Sequence, residues 1–126
     1  MKVLLDTHAF IWALIEDERL SPKVRKLISS SELWWSVASL WEAIQKAQLG
    51  KLSLPLPAGP FLTDQLRSNH VQLLPVSLGH VLRVESLPLH HRDPFDRLMV
   101  AQSIEEGWPI ITADTWFARY PVEVIW

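Results

Sequence analysis

Four carboxylates of this sequence stand where short apolar segments end or where helices are predicted to begin. Asp6 closes the apolar segment 2–5, and Asp114 follows the apolar segment 110–113. Two further acids lie about one turn into predicted helices. In open parallel sheets, ligands bind beyond the carboxyl ends of the strands. We therefore expect one acidic site at this edge, formed by Asp6, Glu42, Asp96 and Asp114.

Such a group of acids has a definite chemistry. Carboxylates gathered within a few ångströms repel one another, so either their pKa values rise or a cation compensates the charge. A ligand set of oxygen atoms, in a chain without cysteine and without histidine at ligand spacing, favours Mg²⁺, with Mn²⁺ as a substitute. Such an ion polarises a phosphoryl oxygen and lowers the pKa of a bound water. The pattern thus predicts hydrolysis of phosphodiester bonds.

Helix capping is the alternative explanation of the same acids. Ser39 and Glu42 have the spacing of a capping box, and the segment 93–96 is similar to one. Asp6 fits an N-cap, and acids in a first turn are favoured by the helix dipole. Taken singly, each acid is better explained as a cap, but their common edge favours a metal site. Asp93, directly before a proline, is expected to be an N-cap.

The elements that must position these acids alternate between strand and helix. Strands are predicted over 2–6, 33–37, 71–76, 109–112 and 122–125. Helices are predicted over 7–15, 22–30, 39–49, 60–69, 78–85 and 94–106, with a loop over 52–60. Trp34 and Trp35 should point to opposite faces of the sheet. This order predicts an α/β fold, a three-layer α/β/α sandwich around a central parallel sheet.

Composition limits the remaining possibilities. The 126 residues, 48% hydrophobic and 21% charged, are expected to form one domain over 1–126. The longest apolar run, 9–15, is too short for a membrane span, and a cytoplasmic location is expected. The net charge of −2 argues against coating nucleic acid through bulk electrostatics. Local contacts would come from Lys46, Lys51, Arg92, Arg97, Arg119 or the run His90-His91-Arg92.

Four short motifs occur in an ordered series along the chain. They are Leu4-Leu5-Asp6-Thr7-His8, Ser39-Leu40-Trp41-Glu42, His91-Arg92-Asp93-Pro94-Phe95-Asp96-Arg97 with Ala101-Gln102, and Thr112-Ala113-Asp114. In order and spacing the chain resembles the PIN-domain ribonucleases, and within them the VapC-type toxins, from Lys2 to Tyr120. The resemblance implies a sheet of about five parallel strands, a homodimer, RNA as substrate and an antitoxin that inserts a segment into the site.

The resemblance also assigns roles to the acids. It implies that Asp6 and Asp96 are the principal metal ligands and that Asp114 is a further ligand, directly or through water. Glu42 would be a ligand or would orient the attacking water, and Thr7 would assist beside Asp6. No second acid follows Asp114 within a few residues, which leaves the number of metals open.

Three other functions share part of this sequence pattern. A dinucleotide-binding oxidoreductase needs a glycine-rich turn after the first strand, and none of the four glycines lies near Asp6. A phosphotransferase with Asp6 as nucleophile would need a lysine beside Asp114, and none is there. The main alternative is a catalytically inactive PIN-like binding module. In either case, some of Trp12, Trp41 and Trp116 are expected to line a homodimer or antitoxin surface.

Overall fold

The central element is a parallel sheet. The computed structural model describes residues 1–90 and 93–126, and these residues form five strands and six α-helices. The strands are β1 (Lys2–Leu5), β2 (Glu32–Ser36), β3 (Val71–Leu74), β4 (Ile110–Ile111) and β5 (Val124–Ile125). They lie in the order β3-β2-β1-β4-β5, and every neighbouring pair is parallel. The predicted parallel sheet of about five strands is confirmed.

Helices connect these strands as the sequence predicted. They are α1 (Thr7–Leu14), α2 (Pro22–Ser30), α3 (Val37–Gln48), α4 (Ala58–Ser68), α5 (Leu78–Glu85) and α6 (Pro94–Glu106), followed by a 3₁₀ helix over Thr115–Arg119. Ser21 caps α2 by accepting a hydrogen bond from the Val24 amide. Helix α6 ends at Gly107, whose φ of 72° is in the left-handed region that glycine adopts most easily.

Both faces of the sheet are buried under helices. Along β2, Trp35 joins a core cluster with residues of α1, α2, α3 and α4, whereas Trp34 packs against the cluster that contains residues of α6. In β1, Leu5 and Leu4 alternate between the same two clusters. The three-layer sandwich and the opposed tryptophans are confirmed, and double-sided burial explains why these strands are apolar at successive positions.

Several predicted boundaries are wrong by a few residues. Strand β2 ends at Ser36 and α3 begins at Val37, where a strand to Val37 and a helix from Ser39 were predicted. The reason is pairing: the ladder between β2 and β3 ends at the pair Ser36 and Leu74, and the chain turns into α3 there. Helix α4 starts earlier than predicted, β3, β4 and β5 are shorter, and the 3₁₀ helix was not predicted.

This topology places the segments that follow three of the strands at one edge of the sheet. Because β1, β2 and β4 are neighbours or near neighbours and run in parallel, the residues that follow Leu5, Ser36 and Ile111 lie at the same edge. Helix α6 packs against α3 and brings its own N-terminus into this region. In the described ranges, no helix is both long enough and apolar enough to cross a membrane.

Candidate metal centre

Asp6 is fixed at the end of β1 by two hydrogen bonds. It is the N-cap of α1, and its Oδ1 accepts from the Ala9 amide at 2.6 Å. Its Oδ2 accepts from the hydroxyl of Thr112, which follows β4. Burial raises the pKa of Asp6, although these two hydrogen bonds oppose the shift. Capping and membership of the site are therefore compatible at this residue.

Glu42 lies within α3 and is not part of a capping box. The N-cap is Ser36, whose hydroxyl accepts from the Ala38 amide at 3.0 Å. The predicted capping box at Ser39 is wrong because the helix begins two residues earlier. The buried Ser39 hydroxyl instead donates to the Met99 sulfur at 3.1 Å. Glu42, only 3% exposed, thus has no capping role to explain its burial.

Both carboxylate oxygens of Glu42 have partners. The Thr7 hydroxyl donates to Oε1 at 2.5 Å, and Lys46 Nζ lies 2.7 Å from Oε2 in an i,i+4 ion pair. Thr7, predicted to assist beside Asp6, therefore joins the first residue of α1 to the acid of α3. These contacts fix the orientation of a carboxylate that is otherwise costly to bury.

Asp96 and Asp93 stand at the beginning of α6. Asp93 is the predicted N-cap: its Oδ1 accepts from the amides of Phe95 at 2.8 Å and Asp96 at 3.1 Å. Carboxylate oxygens of Glu42, Asp93 and Asp96 lie within 4.8 Å of one another. Asp93 was expected to be structural, and its closeness to the other two acids shows that it also belongs to the acidic cluster.

The environment of Asp96 opposes its ionisation. Burial, and then the negative charges of Asp93, Glu42, Asp114 and Asp6, raise the pKa of Asp96 to about 8. A divalent cation would reverse this effect, because it compensates the charges that now repel one another. The donor set, made of carboxylate oxygens and neighbouring hydroxyls, fits Mg²⁺ or Mn²⁺.

Asp114 lies farther along the same edge. It caps the 3₁₀ helix, and its Oδ1 accepts from the Trp116 amide at 2.9 Å. Its own amide donates to the Thr112 hydroxyl at 3.0 Å, so Thr112 links Asp114 to Asp6. Thr112 was missed as a site residue, although a hydroxyl directly after a strand and two residues before an acid was a usable signal.

The predicted basic contacts differ from one another in the structure. Arg97 is wrong as a nucleic-acid contact: it is 9% exposed, and its guanidinium donates to the carbonyls of Pro88, Val84 and Leu87. Lys46 pairs with Glu42, Lys51 is exposed, and the Arg119 guanidinium lies 4.0 Å from the Trp116 ring centroid. His91 and Arg92 lie outside the described residues.

The three tryptophans expected at an interface differ in exposure. Trp41 is 63% exposed and Trp116 is 42% exposed, whereas Trp12 is half-buried against the core. Among the described residues, several aliphatic side chains are also exposed, including Leu78, Val81 and Leu82 of α5. The expectation that some of these residues line a protein interface stays a prediction.

Comparison with known proteins agrees with this geometry. The family model described as PIN domain matches residues 3–123. Ribonuclease VapC22 of Mycobacterium tuberculosis (strain ATCC 25618 / H37Rv) is 32% identical over 114 residues, which cover 89% of this chain and 86% of that protein.

Two solved structures have the same fold. The first is the crystal structure of VapBC2 from Rickettsia felis bound to a DNA fragment from their promoter, with a TM-score of 0.74, 16% identity and coverage of 99% of this chain and 98% of that one. The second is DNA-bound VapBC from Salmonella typhimurium, with a TM-score of 0.73, 17% identity and coverage of 99% and 97%. At these identities the likeness establishes the fold.

Proposed function

This chain belongs to the PIN-domain family, and from that premise we propose that it is a metal-dependent endoribonuclease, the toxin of a toxin–antitoxin pair. The observation that carries the proposal is geometric: carboxylate oxygens of Glu42, Asp93 and Asp96 lie within 4.8 Å of one another. Burial and the neighbouring acids accordingly raise the pKa of Asp96 to about 8. A helix cap alone does not require several acids to be gathered so closely that one of them resists ionisation. The similarity to Ribonuclease VapC22 supports RNA as the substrate.

The proposed ligands of Mg²⁺ or Mn²⁺ are Asp6, Glu42, Asp96 and Asp114, as the sequence predicted. When bound, the cation would polarise a phosphoryl oxygen and supply a water of lowered pKa for in-line attack. The protein's own contribution is orientation: Thr112 and the Ala9 amide hold Asp6, and Thr7 holds Glu42. Asp93, close to Glu42 and Asp96, adds negative charge to the same cluster.

An inactive binding module is the weaker explanation. It would keep the acids only as helix caps, and Asp6 and Asp114 do act as caps. Glu42 does not, because it lies well inside α3, is buried and is oriented by Thr7 and Lys46. Burying a charge without structural use costs stability, so its arrangement favours a function for the charge itself.

The proposal extends to partners and context. We propose that residues 1–126 act as one PIN domain in the cytoplasm, form a homodimer and are neutralised by a cognate antitoxin. The solved structures of similar fold include VapBC assemblies, and the exposed Leu78 and Val81 of α5 offer apolar surface for protein contacts. Expression without the antitoxin should arrest growth of a host cell, and Asp6→Asn should relieve the arrest.

A cleavage assay tests the proposed reaction directly. Purified protein should cut a single-stranded RNA in Mg²⁺ or Mn²⁺ and should stop when EDTA is added. Glu42→Gln keeps an acceptor for the Thr7 hydroxyl but removes the negative charge. This variant should therefore fold normally, but it should cleave RNA poorly. Asp64→Asn, a change of an exposed acid in α4, is the matched control and should cleave like wild type. Full activity in EDTA, or undiminished cleavage by Glu42→Gln, would refute the proposal.

A further inference from the structure

Two aromatic rings meet beside the acidic cluster. Trp41 of α3 and Phe95 of α6 form an edge-to-face pair with ring centroids 4.9 Å apart and an interplanar angle of 81°. Each ring directly precedes an acid, Glu42 in one helix and Asp96 in the other. The two helices that carry the acids thus also carry the ring pair, which lies at the border of the site.

The Trp41 side chain is not part of the hydrophobic core. Its side chain is 63% exposed, whereas Trp35 of the neighbouring strand is completely buried. Trp116, the other strongly exposed indole, has the Arg119 guanidinium over its ring. In the part of the chain that the structure describes, no cationic group lies over Trp41. An indole that packs against Phe95 and is still largely exposed therefore offers apolar surface to a ligand.

A cleft lies beside Phe95 and along α3. It has a volume of 140 Å³ and is lined by Glu42, Gln45, Lys46, Leu49, Lys51, Asp93 and Phe95. Phe95 thus contributes both to the ring pair and to the cleft wall. Lys51 is exposed, and no carboxylate of the described residues forms an ion pair with it.

These groups match the chemistry of a nucleotide in a single strand. A base has an apolar face that stacks on an indole, and its phosphate is attracted by an ammonium group. One ring of the pair, Phe95, and two lysines therefore line a cleft that also contains two acids of the cluster, although the chain as a whole has a net charge of −2. Trp41 is joined to this cleft through its contact with Phe95. A protein partner would use the aromatic surface but would not require the lysines beside the acids.

We propose that Trp41, supported by Phe95, is a base-stacking subsite for one unpaired nucleotide that flanks the cleaved bond, with Lys51 facing the backbone phosphate. The inference rests on the proposed ribonuclease function and deepens it. Stacking needs a base that is free of pairing, so the subsite selects single-stranded or loop RNA. It is tolerant of sequence, because every base has a face that can stack.

RNA binding without cleavage tests this subsite. Affinity for a labelled single-stranded RNA is measured by fluorescence anisotropy in the Asp6→Asn background, so that the RNA stays intact. Trp41→Ala should weaken binding by between about 5-fold and 100-fold, and Trp41→Phe should retain most of the affinity. Leu82→Ala, which removes a comparably exposed apolar side chain (59%) outside the cleft, should change nothing. Urea unfolding verifies that each variant is folded.

An abasic scan then locates the stacked base. In this scan, one base of the RNA is removed at a time. For protein that retains Trp41, removal of the base at one position of the RNA should weaken binding more than removal at any other position. The Trp41→Ala protein should bind the RNA that lacks this base as tightly as it binds the intact RNA. Such coupling between one base and one side chain is expected of direct stacking, whereas a merely structural role of Trp41 would weaken all the RNAs alike.

Three results would overturn the inference. The first is equal RNA affinity of the proteins with Trp41 and with Trp41→Ala. The second is an effect of base removal on RNA binding that is the same with and without Trp41. The third is loss of a dimer in Trp41→Ala while its RNA affinity is unchanged. The last result would assign the indole to a protein interface. If wild type cleaves RNA in Mn²⁺ while Trp41→Ala binds normally, only the subsite is wrong. If wild type cleaves no RNA, the proposed function itself fails.

Discussion

Two consecutive residues of α6, Asp96 and Arg97, are both largely removed from water but have opposite environments. The Arg97 guanidinium donates to the carbonyls of Pro88 at 2.9 Å and Val84 at 3.0 Å, so it ties the end of α5 to α6. The carboxyl of Asp96 lies among other acids, and its pKa is raised to about 8. The Arg97 guanidinium has backbone carbonyls as acceptors, which indicates a structural role. Asp96 lies among acids that raise its pKa, which is the arrangement that the proposed cation site requires.

The largest expected effect lies on the acidic side of this comparison. Asp96→Asn should lower RNA cleavage by about 1,000-fold, equivalent to about 4 kcal/mol of transition-state stabilisation, because it removes a charge that holds the cation. Its fold should be intact, since asparagine has nearly the same shape. Steady-state cleavage and circular dichroism measure the two properties. Cleavage within a factor of ten of wild type would remove Asp96 from the site.

The second prediction concerns Arg97, the structural member of this pair. Arg97→Met should lower the free energy of unfolding by about 3 kcal/mol, because buried carbonyls of the segment 84–88 lose their donors. Urea titration measures this loss. Mn²⁺ affinity, determined where the variant is still folded, should change little, since none of the ion pairs among residues 1–90 and 93–126 joins Arg97 to an acid of the site. A variant as stable as wild type would show that water satisfies these carbonyls equally well.

The metal-free protein should lose stability as the pH rises. Because the folded-state pKa of Asp96 is about 8 and its ordinary value is 3.8, the folded protein binds more protons than the unfolded chain between these values. The resulting stability is complete below about pH 4 and is lost as the pH rises through 8. In EDTA, wild type should lose about 2 kcal/mol more than Asp96→Asn between pH 5 and 8.5, allowing for partial solvation. Parallel pH profiles in urea unfolding would contradict this assignment.

The smallest effect separates the two serines at the start of α3. Ser36→Ala should cost about 1 kcal/mol of unfolding free energy, because it removes the N-cap hydrogen bond to Ala38. Ser39→Ala should cost less, since the Ser39 hydroxyl donates only to the weak sulfur acceptor of Met99. The sequence alone predicted the N-cap at Ser39. Chemical denaturation of both variants measures the difference. A larger loss of unfolding free energy in Ser39→Ala would indicate that Ser39, and not Ser36, caps α3.

Local signals in the sequence were sufficient for much of the fold. Ser21-Pro22, Asp93-Pro94 and Gly107 mark helix ends through backbone chemistry that acts within a few residues, and these ends are confirmed. The start of α3 was misplaced because both Ser36 and Ser39 can cap a helix. The choice depends on where β2 stops pairing with β3, which is a contact between residues distant in the chain.

The acidic site was predictable only in part, for the same reason. The positions of Asp6, Glu42, Asp96 and Asp114 follow from the order of strands and helices. The hydroxyl contacts of Thr7 and Thr112, and the burial of Arg97 under α5, depend on how helices pack against one another. His80 illustrates the limit as well. It completes a capping box with Ser77 at the start of α5, where three-residue spacing was visible but histidine is not the usual partner.

Calorimetric titration with Mn²⁺ tests the central claim, that the acids at this edge form one cation site, most directly. Wild type should bind Mn²⁺ with measurable heat and release protons at pH 7, because the cation displaces protons from acids of raised pKa. Asp6→Asn and Asp96→Asn should each abolish or greatly weaken the binding, and the exposed-site control Asp64→Asn should bind like wild type. Equal heats for wild type and Asp6→Asn would contradict the account and leave Asp6 with only its role as the N-cap of α1.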